Sequence, residues 1–144
     1  MSLANLPSNT NHKKKKVLLV DDMPQVRQDL RQLLELTGLF EVVAEAGDGM
    51  EAVRQVKNLS LDAVVLDLEM HGLDGFEVTR LIKAHSPSVR VIIFSAYGSY
   101  EEMELARNAG ADGFLMKGDR YEILVDALLG KSNTLDTKDF QKGE

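Results

Sequence analysis

The sequence predicts an α/β protein with an open, doubly wound, five-stranded parallel sheet and helices on both faces. Five short aliphatic or β-branched runs alternate with helical patterns, at 16–20, 41–46, 62–66, 89–94 and 112–116. The runs are largely apolar along their length, which is typical of strands buried on both faces of a parallel sheet. A closed eight-stranded barrel needs about 250 residues. The chain has 144 residues, so an open sheet is expected.

The segments between the runs have the periodicity of amphipathic helices. In the first segment, Val26, Leu30, Leu33 and Leu34 recur at steps of four, three and one, which places them on one helix face. The remaining helices are predicted at about 49–59, 74–84, 99–109 and 120–129, with glycines or polar residues at the joints. The regular alternation of strand and helix predicts a single domain.

We expect this domain to span residues 16–130. Residues 1–15 are polar and lack periodicity, which predicts a disordered lead-in or a leader added for expression. Residues 131–144 are also polar and weakly patterned. They are interpreted as a tail or as a linker that is cut short before another domain.

The charge distribution argues against direct nucleic-acid binding by this domain. Residues 17–130 contain 10 Lys/Arg and 20 Asp/Glu, and the whole chain has a net charge of -6. Affinity for phosphate backbones comes from Lys and Arg. The short run of four lysines at 13–16 is interpreted as a solubilising segment before the first strand.

The sequence has no cysteine, no membrane-spanning stretch and no signal-peptide pattern, and each of these excludes a class of protein. The chain has no cysteine, which excludes disulfides and thiolate metal sites. No apolar stretch approaches the ~20 residues of a membrane span. The basic run near the N-terminus is followed by only a short apolar segment, unlike a signal peptide. The expected location is therefore the cytoplasm, with no membrane partner.

Polar residues follow four of the five predicted strands. They are Asp21 and Asp22 after the first, Asp67 after the third, Ser95 after the fourth and Lys117 after the fifth. Each has a structural explanation by itself; Asp22, for example, is a good cap for a helix that begins near Pro24. In an open parallel sheet, however, ligands bind outside the carboxyl ends of the strands. Together, these residues predict one site at that edge.

The chemistry of this set favours a metal ion and phosphoryl transfer. Three neighbouring carboxylates repel one another, and a hard divalent cation such as Mg²⁺ relieves the repulsion through oxygen ligands. A carboxylate can act as a nucleophile and become an acyl phosphate, while a Lys charge and a Ser hydroxyl hold the phosphoryl oxygens. Asp67 lies on the central strand between the acidic pair and the Ser95/Lys117 pair, so we choose it as the nucleophile.

At this point the chain resembles a known family. From about residue 16 to residue 130 it is similar to the receiver domain of bacterial two-component response regulators, of which the chemotaxis regulator is a small relative. The resemblance rests on the segments VLLVDDMPQVRQDL, DAVVLDLEMHGLDGFEVTRLIK, VRVIIFSAYG and AGADGFLMKGD. It implies a flavodoxin-like strand order 2-1-3-4-5. It also implies a regulatory switch that catalyses only its own phosphorylation and dephosphorylation.

The resemblance also implies a role for each site residue. Asp67 would be the phosphorylated residue. The magnesium ligands would be Asp22 and Asp67 directly, Asp21 through water and Glu69 through its backbone carbonyl. Ser95 and Lys117 would contact the phosphoryl oxygens, and Phe114 would be the aromatic switch residue. Glu69 and Tyr97 would flank the path of water to the phosphoryl group, with no direction predicted for their effect on its lifetime.

The partners follow from the same resemblance. The phosphoryl group would come from the phosphohistidine of a sensor kinase, from a phosphotransfer protein or from a small phosphodonor. The surface of the fourth helix, fifth strand and fifth helix would control an output domain, bind a partner or pair with a second copy in a phosphorylation-dependent homodimer. The similarity extends to receivers whose output is a LuxR-type helix-turn-helix domain, which predicts DNA binding by that domain.

Two positions depart from the family pattern. His71 and Gly118 stand where the family often has proline. The second change leaves the loop after the fifth strand open, because a cis bond without proline costs about 3 kcal/mol.

Three alternatives remain at the level of sequence. A flavodoxin-like cofactor site needs a first loop that cradles phosphate, but here that loop is Asp21-Asp22-Met23-Pro24. Phosphatases with an aspartyl nucleophile have an Asp-x-Asp pair on the first strand, whereas this candidate nucleophile follows the third. A phosphate-independent interaction module would not need the complete set of Asp, Ser and Lys residues.

Overall fold

The predicted sheet is present in a computed structural model of the protein, which describes residues 13–131 and Leu135. The five strands are β1 (Lys15–Val20), β2 (Phe40–Ala46), β3 (Ala63–Leu66), β4 (Arg90–Ser95) and β5 (Gly113–Met116). All neighbours are parallel, and the strand order is β2-β1-β3-β4-β5. The predicted fold class and strand order are confirmed.

Five helices connect the strands. They are α1 (Pro24–Leu36), α2 (Gly49–Asn58), α3 (Gly75–His85), α4 (Tyr100–Ala109) and α5 (Tyr121–Leu128). Asp48, Asp74 and Ser99 cap α2, α3 and α4 by accepting backbone N–H groups. In contrast, α1 has Met23 at its cap position and no side-chain cap. Asp22 therefore does not cap α1, and the capping explanation of this residue is wrong.

The sheet separates two main apolar layers, with a smaller third cluster near the β5 edge. Successive residues of β1 alternate between the faces, so that Leu19 packs with α1 and α5 whereas Leu18 packs with α2 and α3. Because helices cover both faces, β3 is apolar and buried along its whole length, whereas the edge strand β2 also contains two glutamates. Among the described residues, no helix is both long and apolar enough to cross a bilayer.

The third cluster lies between α4 and the last two strands. It contains Ile93, Ala106, Phe114 and Leu135, all buried. Leu135 belongs to the segment predicted to be a polar tail, so at least one residue beyond α5 packs against the domain. Most of the predicted lead-in, residues 1–12, and most of that tail, residues 132–134 and 136–144, lie outside the described part of the chain.

Candidate functional site

The backbone places the predicted site residues at one edge of the sheet. Where β1, β3 and β5 end, the next residue donates its N–H to the neighbouring strand. The three bonds run from Asp21 to Ala46 (3.1 Å), from Asp67 to Val20 (2.9 Å) and from Lys117 to Ser95 (2.7 Å). Each side chain thus leaves a backbone that is already held by the sheet, which reduces the conformational freedom of the site.

Three carboxylates meet at this edge. Asp21, Asp22 and Asp67 each offer an oxygen, and these oxygens lie within 4.8 Å of one another. Asp21 and Asp67 are each only 3% exposed. One oxygen of each buried carboxylate accepts the N–H two residues later, from Met23 (2.9 Å) and from Glu69 (3.1 Å). These short-range bonds hold the first turn of both loops.

One cation lies inside the cluster. The Lys117 Nζ is 3.0 Å from Asp21 Oδ2 and 3.3 Å from Asp67 Oδ1. Burial would lower the pKa of Lys117, but the hydrogen bond and charge of Asp21 and the charge of Asp67 outweigh it and raise the pKa. Lys117 therefore stays protonated at neutral pH, and its single charge offsets only part of three carboxylates.

The environment of Asp67 disfavours its ionised form. Burial raises the pKa of Asp67 to about 7, and the Glu69 carboxyl and the Asp21 charge act in the same direction. The Glu69 N–H and the Lys117 ammonium oppose this shift. A buried carboxylate that is short of positive charge is the electrostatic condition in which a divalent cation binds.

Ser95 ends β4, and its hydroxyl lies between two acceptors. The Oγ atom is 2.7 Å from Glu69 Oε1 and 2.7 Å from the Tyr97 carbonyl oxygen, and its single proton can serve one of them at a time. The Ala96 N–H donates to the same Glu69 oxygen at 3.0 Å. Although burial acts to raise the pKa of Glu69, its hydrogen bonds with Asp67, Ser95 and Ala96 leave that pKa lowered.

Phe114 is buried on the α4 side of β5. It is 5% exposed and packs with Ile93, Ala106 and Leu135. The loop after β4 comes very close to it at Gly98. A Cβ atom there would lie 2.9 Å from the Phe114 ring and 2.7 Å from the Met116 sulfur, so this position requires glycine for the present packing.

The loop after β5 has Gly118 at the position where the family that the sequence resembles often has proline, and its conformation depends on that glycine. Among the described residues there is no cis peptide bond, and Gly118 has a φ of +123°, a region that favours glycine. The Asp119 N–H donates to the Met116 carbonyl at 3.0 Å, and the Met116 N–H donates to Asp119 Oδ2 at 3.0 Å. A left-handed glycine and an Asp thus shape the loop that carries Lys117.

The structure brings together the residues predicted from sequence and adds two groups. Asp21, Asp22, Asp67 and Lys117 form one cluster, and Glu69 links it to Ser95. The Glu69 side chain and the Ala96 N–H were missed as polar partners, because a sequence contains no signal for side-chain direction or for a loop N–H. His71 is exposed in the loop before α3 and is not among the residues that form this site.

The donor set fits a magnesium ion. Mg²⁺ prefers oxygen ligands and keeps several waters, and the cluster offers three carboxylates, one of them partly exposed. In the flavodoxin-like alternative, this loop would have to cradle a phosphate group. Here it presents the carboxylates of Asp21 and Asp22, which repel phosphate.

The fold and the site define a class, namely doubly wound α/β domains with an acidic pocket at the carboxyl edge and a lysine beside it. A family model described as "Response regulator receiver domain" matches residues 17–129. The chain therefore belongs to the family of response regulator receiver domains, whose function is that of a phosphorylation switch in two-component systems.

Relatives with known names agree with this family. The chain is 38% identical over 112 residues to the nitrate/nitrite response regulator NarP of Escherichia coli, covering 78% of this chain and 52% of that protein. It is 39% identical over 114 residues to the chemotaxis protein CheY of Halobacterium salinarum, covering 79% of this chain and 93% of CheY. The chain thus spans about half the length of the nitrate/nitrite regulator.

Solved structures give the same result. A LuxR-family two-component response regulator from Aurantimonas sp. has a TM-score of 0.77 and 35% identity, with 83% of this chain and 88% of that chain covered. The receiver domain of a NarL regulator from Mycobacterium tuberculosis has a TM-score of 0.77 and 33% identity, covering 82% and 95%. The predicted similarity to receivers of the LuxR family is confirmed.

Proposed function

We propose that Asp67 is the residue that accepts the phosphoryl group. The observation that supports this most strongly is its position: a buried carboxylate at the end of the central strand, within 4.8 Å of two other carboxylates and with Lys117 3.3 Å from its Oδ1. Asp21 is equally buried, but both of its oxygens are engaged, by the Met23 N–H and by Lys117. Asp67 is therefore the better nucleophile.

The proposed reaction is a single displacement at phosphorus. An Asp67 carboxylate oxygen forms a bond to phosphorus as the P–N bond of a kinase phosphohistidine, or the P–O bond of acetyl phosphate, breaks. The electron pair of the broken bond stays with the leaving imidazole or acetate. The Lys117 ammonium lies where it can offset charge on the transferred group, and the Ser95 hydroxyl is a donor for one of its oxygens.

Asp21, Asp22 and Asp67, together with the Glu69 carbonyl, are the residues that we propose to hold Mg²⁺. When bound, the metal supplies positive charge beside the phosphoryl oxygens. The chain's own contribution is to fix the two buried carboxylates through the Met23 and Glu69 N–H groups. Lys117 already bridges Asp21 and Asp67, so its ammonium orients both carboxylates before any ligand binds.

The output surface is proposed to be the face of α4, β5 and α5. Phosphorylation adds a charge of about -1.5 to -2 and three acceptor oxygens beside Asp67. The contacts of Ser95 and Lys117 with those oxygens would supply the differential affinity that any two-state switch requires. Ser95 continues into the loop that packs on Phe114 through Gly98, so a change at Ser95 would reach the α4 side of β5.

The proposed partners follow from the family and from its relatives. The phosphoryl donor would be a sensor histidine kinase, a phosphotransfer protein or a small phosphodonor. One structural relative is described as a DNA-binding response regulator of the LuxR family. By analogy, we propose that the surface of this domain controls a DNA-binding output domain or pairs with a second copy after phosphorylation.

Labelling with acetyl phosphate tests the assignment of Asp67. With Mg²⁺, the wild-type protein should gain the mass of one phosphoryl group in a base-labile form, and Asp67→Asn should not gain it. Asp62→Asn is the matched control, because Asp62 flanks the other end of the same strand. Labelling of Asp67→Asn at the wild-type rate would overturn the assignment.

A second experiment tests the proposed relay. Ser95→Ala should still become phosphorylated at Asp67, because the nucleophile and Lys117 are unchanged. Its amide spectrum over residues 99–125 should respond less to beryllium trifluoride than the wild-type spectrum does. Equal responses of both proteins would rule out Ser95 as the link to the α4–β5–α5 face.

A further inference from the structure

The Glu69 side chain bridges the two halves of the site. It leaves the loop after β3 and turns back to β4, where its Oε1 atom lies 2.7 Å from the Ser95 hydroxyl and 3.0 Å from the Ala96 nitrogen. Its own N–H donates to Asp67 Oδ1 at 3.1 Å. One anionic oxygen thus lies between the proposed phosphoacceptor and the first residues after β4.

The same donors would be needed by a phosphoryl group. An acyl phosphate on Asp67 presents three anionic acceptor oxygens. Three donors at this edge of the sheet could serve those oxygens: the Lys117 ammonium, 3.3 Å from Asp67 Oδ1, and the Ser95 hydroxyl and Ala96 N–H, which lie against Glu69. Carboxylate and phosphoryl oxygens are both charged acceptors that bind such donors at similar distances. The Glu69 carboxylate therefore already lies within hydrogen-bond distance of two of these three donors.

We propose that the Glu69 carboxylate is an internal stand-in for a phosphoryl oxygen, which must leave Ser95 and Ala96 when Asp67 is phosphorylated. This inference rests on the proposed role of Asp67. Glu69 is an exposed residue in a loop, so its side chain can swing into solvent without repacking the core. The competition has a consequence for each state of the protein.

In the phosphorylated state, displacement of Glu69 reduces the net gain from the new contacts. Ser95 and Ala96 exchange the Glu69 carboxylate for a phosphoryl oxygen as their acceptor. The free energy gained from the new hydrogen bonds is therefore smaller than it would be if both donors had been unbonded before. Glu69 should therefore weaken the binding of a phosphoryl group or of a phosphoryl mimic.

In the unphosphorylated state, Glu69 has the opposite effect on the switch. Ser95 is fully buried and already directed toward an anionic oxygen, and Phe114 is already buried, with its ring against Gly98. This arrangement is the one that phosphoryl contacts are proposed to stabilise. Loss of the carboxylate should therefore loosen the loop after β4 and the packing of Phe114 in the free protein.

The test compares Glu69→Ala, Glu69→Gln and the wild type, with Glu41→Gln as control. Glu41 is exposed at the start of β2, at the opposite edge of the sheet, so this control removes the same charge away from the site. Two quantities are measured: the affinity for beryllium trifluoride at saturating Mg²⁺, and the Ala96 amide and Phe114 ring resonances of the free proteins.

For Glu69→Ala we expect tighter binding of beryllium trifluoride, by about tenfold, which corresponds to ~1.4 kcal/mol. The Ala96 proton should move upfield, because it loses a charged acceptor, and the Phe114 signals should shift toward those of a more exposed ring. Glu69→Gln should fall between, because an amide oxygen still accepts but has no charge. Glu41→Gln should match the wild type.

Three outcomes would count against the proposal. If Glu69→Gln and Glu69→Ala bind the mimic equally and both keep the wild-type Ala96 shift, Glu69 acts only through its charge. If neither variant differs from Glu41→Gln in affinity, Glu69 does not compete at all. If the affinity rises while the Phe114 signals stay unchanged, Glu69 competes with the phosphoryl group but does not stabilise the packing of Phe114. The part of the proposal that concerns the unphosphorylated state is then wrong.

These outcomes are distinct from failure of the proposed function. A wild-type protein that neither binds beryllium trifluoride nor becomes labelled at Asp67 would overturn the role of Asp67 itself. A wild-type protein that does both, with Glu69 variants that behave like it, would overturn only the role of Glu69.

Discussion

The two edges of the sheet both contain aspartates next to strands, but these side chains have different surroundings. At the amino edge, Asp62 precedes β3 and Asp112 precedes β5. Each donates its N–H to a neighbouring strand and accepts an N–H from that same strand with its carboxylate. For Asp62 the partner is Lys16, and for Asp112 it is Val91. Each carboxylate therefore completes the sheet.

At the carboxyl edge the backbone bonds are similar, but the carboxylates are not distributed one to a strand. Asp21 and Asp67 also donate their N–H groups to neighbouring strands. Their side chains, however, turn into a shared space with Asp22, where a single ammonium group, that of Lys117, contacts two of them. Aspartates thus stabilise the fold at the amino edge, whereas at the carboxyl edge their carboxylates repel one another.

The largest expected effect is the loss of stability on removing an amino-edge carboxylate. Asp112→Ala would leave the buried Val91 N–H without its acceptor, now 2.9 Å away, and would remove the partner of Lys83 at 3.0 Å. A buried donor without a partner costs about 1–3 kcal/mol, so we expect a loss of about 2 kcal/mol in the free energy of unfolding. Chemical denaturation measures it.

Asp112→Asn is the control for this prediction. Its amide oxygen can still accept from Val91, so the loss should be smaller than that of the alanine variant. Both variants should retain labelling at Asp67, because Asp112 lies at the opposite edge of the sheet. An alanine variant as stable as the wild type would show that this carboxylate does not stabilise the sheet.

A carboxyl-edge variant should change stability in the opposite direction. In EDTA, Asp22→Ala should raise the free energy of unfolding by about 0.5–1 kcal/mol, because it relieves repulsion in the cluster and Asp22 caps no helix. With Mg²⁺ at ten times its wild-type dissociation constant, the wild type should gain about 1.4 kcal/mol, and the variant, which lacks one of the proposed ligands, almost none. The order of stabilities should therefore reverse between the two conditions.

Thermal or chemical unfolding in both solutions measures this reversal. If Asp22→Ala is less stable than the wild type in EDTA, repulsion among the carboxylates is not the largest effect of Asp22 on stability. The proposed contrast between the two edges would then not hold for the carboxyl edge.

Much of this fold could be predicted from the sequence, because the strands are largely apolar runs and each helix has one apolar face. The remaining errors are at the ends of elements. Asp62 and Asp112 were included in strands that they precede, since a side chain that completes a sheet resembles strand sequence. Ser95 was expected after β4 and is its last residue.

The candidate site was predictable to the level of residue identity. Polar side chains directly after parallel strands converge by topology, which is why Asp21, Asp67 and Lys117 were found. The Glu69 carboxylate was not predicted to reach Ser95, because its direction depends on a strand 26 residues later in the chain. Packing around Gly98 was likewise not predicted, since it depends on the position of Phe114.

The smallest expected effect concerns Glu45 of β2, a carboxylate with two cationic partners. Arg27 and Arg31 contact its oxygens at 2.9 Å and 2.7 Å, and its side chain is 29% exposed. Although burial acts to raise the pKa of Glu45, hydrogen bonds with Arg31 and Arg27 and their charges leave the pKa lowered. Because its pKa is lower in the folded state, Glu45 stabilises the protein above the unfolded value of about 4.3.

That contribution should be lost as the pH falls below about 4.3 and through the lower folded-state pKa. At pH 7, Glu45→Gln should therefore be less stable than the wild type by about 0.5 kcal/mol, since solvent screens a partly exposed pair. At acidic pH the two proteins should converge, because both side chains are then neutral. Urea unfolding from pH 7 to pH 3 measures the difference. A gap that stays constant across that range would show that Glu45 stabilises the protein by packing and not by charge.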